Sequence, residues 1–326
     1  MGGIIVVGVG AMGWNHARVC SELGLLSGIC DNNSESVKSV SEKFSVPGFT
    51  DINEAIEECE PLGVIIATPT FSHFDLASLA IESGVNVLLE KPMTDSIANG
   101  RELIKKANEK GVKLAIGHIE RFNPVISATK DKLANGDWGD IVTITSRRVS
   151  NFPGRIRDVG VVLDLGIHDI DNSIFLMSSR PRRVYATGGS YNEIDYEDHA
   201  TICIEFENGN QAIIEVNWIT PMKVRTLSLT CQRAFVELDY IKQEVVYSSS
   251  IFKDPENPQM FSPEIEVESK VVELDMDEPL KIEILDFIGS IEDDVPPAVD
   301  GEQGLMALEV ALAALKSMRT GEVEDV

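Results

Sequence analysis

The sequence predicts an α/β domain with a parallel sheet over residues 1–119, followed by an α+β domain with an antiparallel sheet over residues 120–326. Three observations carry that reading. Up to Gly117, short apolar runs alternate with segments of helical period, the order of a parallel sheet covered on both faces. Beyond Pro124 the runs become β-rich and alternate residue by residue, as half-buried antiparallel strands do. A chain of 326 residues is also long for one core and suits two domains.

In the first domain, strands are expected at Ile4–Val9, Leu25–Asp31, Leu62–Thr68, Val85–Glu90 and Val112–Gly117. Helices are expected at Trp14–Leu23, Ser34–Phe44, Asn53–Glu58, Ser72–Ser83 and Asp95–Lys110, with Gly84 and Gly111 placed as C-caps. In the second domain, Ile141–Arg148, Arg183–Gly188, His199–Phe206, Gln211–Trp218 and Val224–Thr230 read as strands. Glu207-Asn208-Gly209-Asn210 reads as a two-residue hairpin turn. A helix at Leu163–Met177 interrupts the strands, and Ser248–Glu273 is polar and lacks a clear period. Helices at Pro279–Ser290 and Gly304–Thr320 close the chain and are free to pack back on the first domain.

Composition removes several function classes. With 43% hydrophobic and 25% charged residues, the chain is an ordinary soluble globular one, and no apolar run approaches the ~20 residues of a membrane span. Ile4–Val9 is too short for a signal peptide and lacks a basic flank. The five cysteines are odd in number and none stands in C-x-x-C spacing, so neither a disulfide framework nor a metal site is expected. They read as small core residues in a reducing cytoplasm. A formal charge of −25 speaks against a nucleic-acid partner, and the acidic tail reads as a solvated face.

The motif with the most chemistry comes first in the chain. Gly8-Val9-Gly10-Ala11-Met12-Gly13 joins the first strand to the first helix, and the second strand ends in Asp31. This is the dinucleotide-binding fingerprint. Gly8 permits the tight turn, Gly10 the approach of a pyrophosphate, and Gly13 close packing of helix on strand. The helix N-terminus offers N–H groups to phosphate. Asp31 would accept from ribose hydroxyls and repel a 2′-phosphate, which favours NAD over NADP.

Two further clusters carry chemistry. Glu90-Lys91-Pro92 ends a strand at the edge of the sheet where ligands bind, so Lys91 can donate to a substrate oxygen; the proline that follows is a candidate cis residue. Asp164 and His168 stand four apart, on one face of a helix. A carboxylate beside an imidazole raises its basicity, as a general base for alcohol oxidation requires. A helix-surface ion pair is the plainer alternative for these two, and a solvated lysine for Lys91.

These pieces together resemble the Gfo/Idh/MocA family of NAD(P)-dependent sugar and inositol dehydrogenases, over essentially the whole length. The residues that carry the resemblance are Gly8–Gly13 with Asp31, Ala67-Thr68-Pro69 with His73, Glu90-Lys91-Pro92, and Gly117 leading into Arg121-Phe122-Asn123-Pro124. Asp164-x-Gly166-x-His168 and Asp300-Gly301-Glu302-x-Gly304 complete it. The resemblance implies a Rossmann domain and a C-terminal domain with a large open antiparallel sheet, through which dimers or tetramers form. It implies that Lys91 positions the reacting hydroxyl, His168 takes its proton and Asp164 orients the site. Cofactor contacts fall to Gly8, Gly10, Ala11, Met12, Gly13, Asp31, Thr68, Pro69, His73, Glu90 and Lys91. Val161-Val162 departs from the glycines many relatives carry there.

The substrate reading rests on Arg147 to Arg157, which holds four arginines and no acid. Guanidinium forks match phosphate oxygens, so Arg155 and Arg157, with Arg121 and Asn123, are candidate contacts for a nucleotide sugar. Pairing of these arginines with nearby acids is the alternative. The segments Gly117–Pro124 and Arg155–Gly160 are similar to a branch that oxidises UDP-N-acetylglucosamine at C3. An inositol or glucose dehydrogenase, or a non-catalytic dinucleotide sensor on the same fold, are the rival readings. His16 is expected to pack or lie near phosphate, His118 to lie near nicotinamide, and His199, Trp14 and Trp218 to be structural.

Overall fold

The structure is a computed structural model and describes residues 2–153, 159–192, 195–253 and 264–326. The chain divides into two compact units. The first comprises residues 1–122 and 278–309, the second residues 123–277 and 310–326.

In the first unit, β1 (Ile4–Val7), β2 (Leu26–Cys30), β3 (Gly48–Phe49), β4 (Gly63–Ile66), β5 (Asn86–Glu90) and β6 (Leu114–Gly117) form one parallel sheet ordered β3-β2-β1-β4-β5-β6. The helices between them are α1 (Ala11–Glu22), α2 (Ser34–Phe44), α3 (Ile52–Cys59), α4 (His73–Glu82) and α5 (Ile97–Lys110). β1 and β4 are buried at every position, which is why they read as unbroken apolar runs rather than alternating ones. Side chains set the helix starts: Asn33 accepts from the N–H of Glu35 and Ser36, and Asp51 from those of Asn53 and Glu54. The strand order reverses between β1 and β4, so a crevice opens at their carboxyl ends. β1 and β4 stop two residues short of the expected ends, where the chain turns to line that crevice, while β5 and β6 end where expected.

α8 (Pro279–Glu292) belongs to this unit. Leu280, Ile284, Phe287 and Ile288 form its apolar stripe and pack with Ile4, Val6, Ile65 and Leu88. Phe287 lies so near Gly63 that a Cβ there would come within 2.9 Å of its ring.

The second unit opens with α6 (Pro124–Ala134) and β7 (Ile141–Asn151), then a π-turn at Val162–Gly166 that runs into α7 (Ile167–Met177). Eight strands follow: β8 (Pro181–Gly189), β9 (His199–Phe206), β10 (Gln211–Asn217), β11 (Ile219–Cys231), β12 (Phe235–Asp239), β13 (Glu244–Lys253), β14 (Glu264–Val271) and β15 (Glu324–Asp325). With β7 they form a nine-stranded sheet ordered β14-β13-β12-β11-β7-β10-β9-β8-β15. α9 (Gly301–Thr320) precedes β15.

Four details depart from the sequence reading. The large sheet is mixed rather than wholly antiparallel, because β7 and β10 run parallel. The α7 crossover returns β8 in the direction of β7, and two hairpins then bring β10 back in that same direction beside it. The β9–β10 loop holds three residues rather than two: Phe206 bonds to Asn210, and Gly209 alone is left-handed at φ 84°. The unassigned Ser248–Glu273 stretch contains most of β13 and all of β14. Residues 266–271 of β14 are exposed throughout, so no buried face imposed an apolar period. The first turn of the expected Leu163–Met177 helix is a π-turn.

All five cysteines are free thiols, and burial pushes those of Cys20 and Cys30 up to about 12. Among the described residues, no helix is long and apolar enough to cross a membrane.

Candidate active site

The first unit carries a cradle at the carboxyl end of β1. Gly8 holds φ 84°, and a Cβ on it would lie 2.6 Å from Thr68 Cγ2. A Cβ on Gly13 would meet the Gly8 carbonyl oxygen at 1.7 Å, so α1 can sit this close to the turn only with glycine there. At Gly10 the situation is opposite, with nothing within 4 Å of a built Cβ. Gly10 is also the N-cap of α1, offers no side-chain cap, and is followed by no acid in the first turn. The amide groups around Ala11 and Met12 therefore keep their positive end open to an anion. An open backbone face, N–H groups with no side-chain cap and a first turn without an acid fit a dinucleotide pyrophosphate.

Asp31 stands beside that cradle. Its Oδ2 accepts from Val9 N–H at 2.8 Å and its Oδ1 from Asn33 N–H at 2.9 Å. These bonds fix the carboxylate while leaving lone pairs for ribose hydroxyls. On the far side, Ser72 donates to Thr68 Oγ1 at 2.8 Å, ordering the Thr68-Pro69 loop after β4. His73 is 1% exposed, with its ring nitrogens 2.9 Å from the carbonyls of Thr68 and Pro92. Burial pushes its pKa down despite those two carbonyls. Any part His73 has in cofactor binding therefore runs through the two loops it joins.

The loop after β5 carries Lys91, half-buried, and the Lys91–Pro92 bond is cis. Glu90 is buried beneath it. His16 Nε2 donates to Glu90 Oε1 at 2.8 Å, and Lys91 N–H to Glu90 Oε2 at 3.2 Å. Burial alone would raise the Glu90 pKa, but the His16 bond and the charge of Lys91 outweigh it and hold Glu90 below its usual range. His16 is thus a partner of Glu90, a role its helix position did not signal. Glu283 of α8, absent from the sequence reading, joins them: candidate ligand atoms of His16, Glu90 and Glu283 lie within 4.8 Å of one another. The one signal was a glutamate in the apolar register of α8, beside Leu280, Ile284 and Phe287.

The second unit carries the other half of the expected chemistry. Asp164 is buried within the π-turn, and its N–H donates to Gly160 carbonyl at 3.0 Å. His168 is half-buried in the first turn of α7. The π-turn inserts a wider coil just where α-helical spacing was assumed, a feature that recurs at functional sites. Val161 and Val162 are fully buried; Val162 N–H donates to Glu197 at 3.0 Å.

The arginine segment needs correction. Arg148 is 1% exposed and enclosed with Asp169, Nε to Oδ2 at 2.6 Å, while Arg147 pairs with Glu215 at 3.0 Å. Both sit on β7, where neighbouring strands and α7 present acids, so neither belongs to an anion patch. Arg155 and Arg157 lie outside the described residues. Arg121 is buried and donates to Gln303, and Asn123 caps α6 by accepting from Val125 N–H at 3.3 Å. His118 is enclosed just after β6, and Trp218 packs edge-on against Phe152.

Comparison with known proteins supplies the context. A family model described as an oxidoreductase family with an NAD-binding Rossmann fold matches residues 3–118, and the GFO/IDH/MocA C-terminal domain matches residues 126–237. The chain is 29% identical over 308 residues to UDP-N-acetylglucosamine 3-dehydrogenase of Acidithiobacillus ferrooxidans, covering 94% of each. A solved structure of that enzyme superimposes with a TM-score of 0.86 over 97% of each chain. Myo-inositol 2-dehydrogenase of Thermotoga maritima is 25% identical over 98% of each chain. A dehydrogenase of Bordetella pertussis solved with NADH and UDP-GlcNAcA shares the fold at TM-score 0.83 and 21% identity, covering 99% of this chain and 98% of that one.

Proposed function

The chain belongs to the Gfo/Idh/MocA family of NAD-binding oxidoreductases that act on sugar and polyol hydroxyls, and from that premise we propose that it oxidises UDP-N-acetylglucosamine at C3 to the ketone. The observation that carries this reading is the match to UDP-N-acetylglucosamine 3-dehydrogenase across both units, at 94% of each chain.

NAD, when bound, supplies the hydride acceptor. Every other task falls to side chains. Lys91 holds the C3 oxygen and stabilises the negative charge that develops on it. His168 takes the hydroxyl proton as general base, and the buried carboxylate of Asp164 favours the charged imidazolium that results. Gly8, Gly10, Ala11, Met12 and Gly13 hold the pyrophosphate, Asp31 the ribose, and Thr68, Pro69, His73 and Glu90 shape the crevice. Arg155 and Arg157 form the diphosphate clamp, and Arg121 and Asn123 border the sugar. One C–H hydride and one O–H proton leave the substrate; the products are the 3-keto sugar, NADH and a proton.

A polyol dehydrogenase is the second reading. The full-length likeness to myo-inositol 2-dehydrogenase favours it, as does the loss of Arg147 and Arg148 from the anion patch. The outer face of the nine-stranded sheet is the proposed homo-oligomer interface. Tyr185, Cys203 and Ile213 run side by side across it, with Phe235 also exposed.

NADH formation over a panel of UDP-N-acetylglucosamine, UDP-glucose, myo-inositol and glucose, each with NAD and NADP, tests the proposal. Turnover confined to UDP-sugars and faster with NAD is expected. Turnover with inositol or glucose alone would overturn the substrate, and equal rates with NADP would remove Asp31 from cofactor selection.

A further inference from the structure

The least explained side chain in the first unit is Glu283. It is 2% exposed, and among the described residues neither of its oxygens has a hydrogen-bond partner, nor has the Nδ1 of His16 beside it. An ionised carboxylate in that position would be a bare charge in an apolar core, a state proteins avoid by pairing or by neutralising the group. A second carboxylate, Glu90, shares the same chamber and is already the acceptor of His16 Nε2 and Lys91 N–H.

We propose that His16, Glu90 and Glu283 form a buried triad in which the two carboxyl groups hold one proton between them, resident on Glu283, so that Glu90 alone bears the negative charge beside Lys91. Two carboxylates this close cannot both ionise without a cation. His16 favours ionisation of Glu90 by donating to it, and so assigns the proton to the other member. Glu283 is then a positioning residue: it acts through Glu90 on the loop that carries Lys91, and this function rests on the role proposed for Lys91 above.

The surroundings agree with that assignment. Burial first, then the charges of Glu90 and Asp286, push the Glu283 pKa well up, while Glu90 is held down. α1 contributes His16 and also Arg18, whose guanidinium is occupied by Glu22 and Glu278. The loop after β5 contributes Lys91, and α8 contributes Asp286, itself raised by burial. The turn Ile119–Phe122 packed on α8 brings Glu120 and Arg121, the latter engaged with Gln303. Arg121 and Arg18 are thus engaged with other partners, and the groups that bear on the charge of Glu90 are His16 first and then Lys91.

A protonated Glu283 gives stability a defined pH dependence. Its unfolded value is that of an ordinary glutamate, ~4.3, and its folded value is higher. Through this group the native state binds more protons than the unfolded chain between the two, and the contribution of Glu283 to stability is fullest below ~4.3 and falls as pH rises toward the folded value. Glutamine cannot titrate, so the melting temperature of Glu283→Gln should gain on that of the wild type from acid to neutral pH.

The experiment uses the intact protein with two variants, Glu283→Gln and Glu283→Leu. Infrared spectra of cofactor-free protein at neutral pH should show a protonated-carboxyl C=O band that Glu283→Gln removes, and melting should follow the pH trend above. In turnover with the best substrate of the panel, Glu283→Leu should lower kcat about tenfold or more with KM for NAD little changed. Glutamine, which keeps the shape and polarity of a neutral carboxyl, should restore most of that loss without moving the pH profile. No protonated-carboxyl band, or a melting difference independent of pH, overturns the triad. So does one divalent cation per chain, found by metal analysis and lost in Glu283→Gln, which would make the cluster a metal site. The infrared and melting readouts need no substrate, so their failure is distinct from failure of the proposed dehydrogenase reaction.

Discussion

Lys91 follows a buried carboxylate whose charge is fixed by an imidazole, and half of its own side chain is covered. That setting places an ammonium near the crevice beside a fixed negative charge. The account gives Lys91 and His168 the two halves of one task, oxygen stabilisation and proton removal. Lys91→Ala and His168→Ala should each cut kcat/KM by about 10²–10⁴-fold, while fluorescence titration shows NADH affinity nearly unchanged. Full turnover in either variant would remove that residue from the reaction. At this scale legibility followed locality. Gly8, Gly13 and Asp31 could be read because the turn they build lies within a few residues of each or at the next strand end. Glu283 was harder to read: its place in the apolar register of α8 is a local sign of burial, but His16 and Glu90, the groups it lies near, sit on α1 and β5, far back in the chain.

The element that presents His168 is held by a buried ion pair one residue along. Arg148 of β7 grips Asp169 of α7 with two nitrogens, at 2.6 and 3.3 Å. Its guanidinium lies over Tyr240, 5.0 Å from the ring centre, and Tyr240 in turn accepts from Asn172 of α7 at 3.0 Å. The register of α7 on the sheet is thereby specified by polar contacts rather than by packing alone. Removing one partner leaves the other charge enclosed, so Arg148→Met should cost ~3–5 kcal/mol in urea unfolding, and adding Asp169→Leu should recover most of it. A loss below ~1 kcal/mol, the scale of a surface pair, would contradict this reading. The arginine run was legible as an unusual charge cluster, but not the pairing of Arg147 with Glu215 and of Arg148 with Asp169. That pairing depends on which acids α7 and β10 bring to β7. The π-turn was hidden for a related reason: its extra residue is a property of backbone hydrogen bonding that leaves the apolar pattern intact.

At the scale of the molecule, the parallel sheet was written plainly because β1 and β4 at its centre are buried at every position and every connection contains a helix; the two-residue β3 was too short to read. The large sheet was legible only where one face is buried: β9 and β10 alternate strictly, whereas exposed β14 carries no such pattern. Its parallel β7–β10 pair is a consequence of connection order, which no strand encodes by itself. The open face also frames the assembly prediction. Tyr185 and Ile213 flank Cys203 in one cross-strand row, with the ion pairs Arg183–Glu205 and Arg147–Glu215 in the adjacent rows. That is an apolar stripe rimmed by charges, the anatomy of a subunit interface. If the proposed homo-oligomer forms through this face, the wild type should sediment as more than a monomer and Tyr185→Glu with Ile213→Glu as a monomer in sedimentation velocity. An unchanged sedimentation coefficient would place the interface elsewhere.

The central claim is that a hydride leaves C3 of a UDP-linked amino sugar while Lys91 and His168 manage its oxygen and proton. Turnover of UDP-N-acetylglucosamine deuterated at C3 tests it most directly. The account predicts one deuterium transferred to the nicotinamide of every NADH formed, with a slowed chemical step in single-turnover measurements. Label retained in the sugar product, or full-rate turnover into unlabelled NADH, would contradict it.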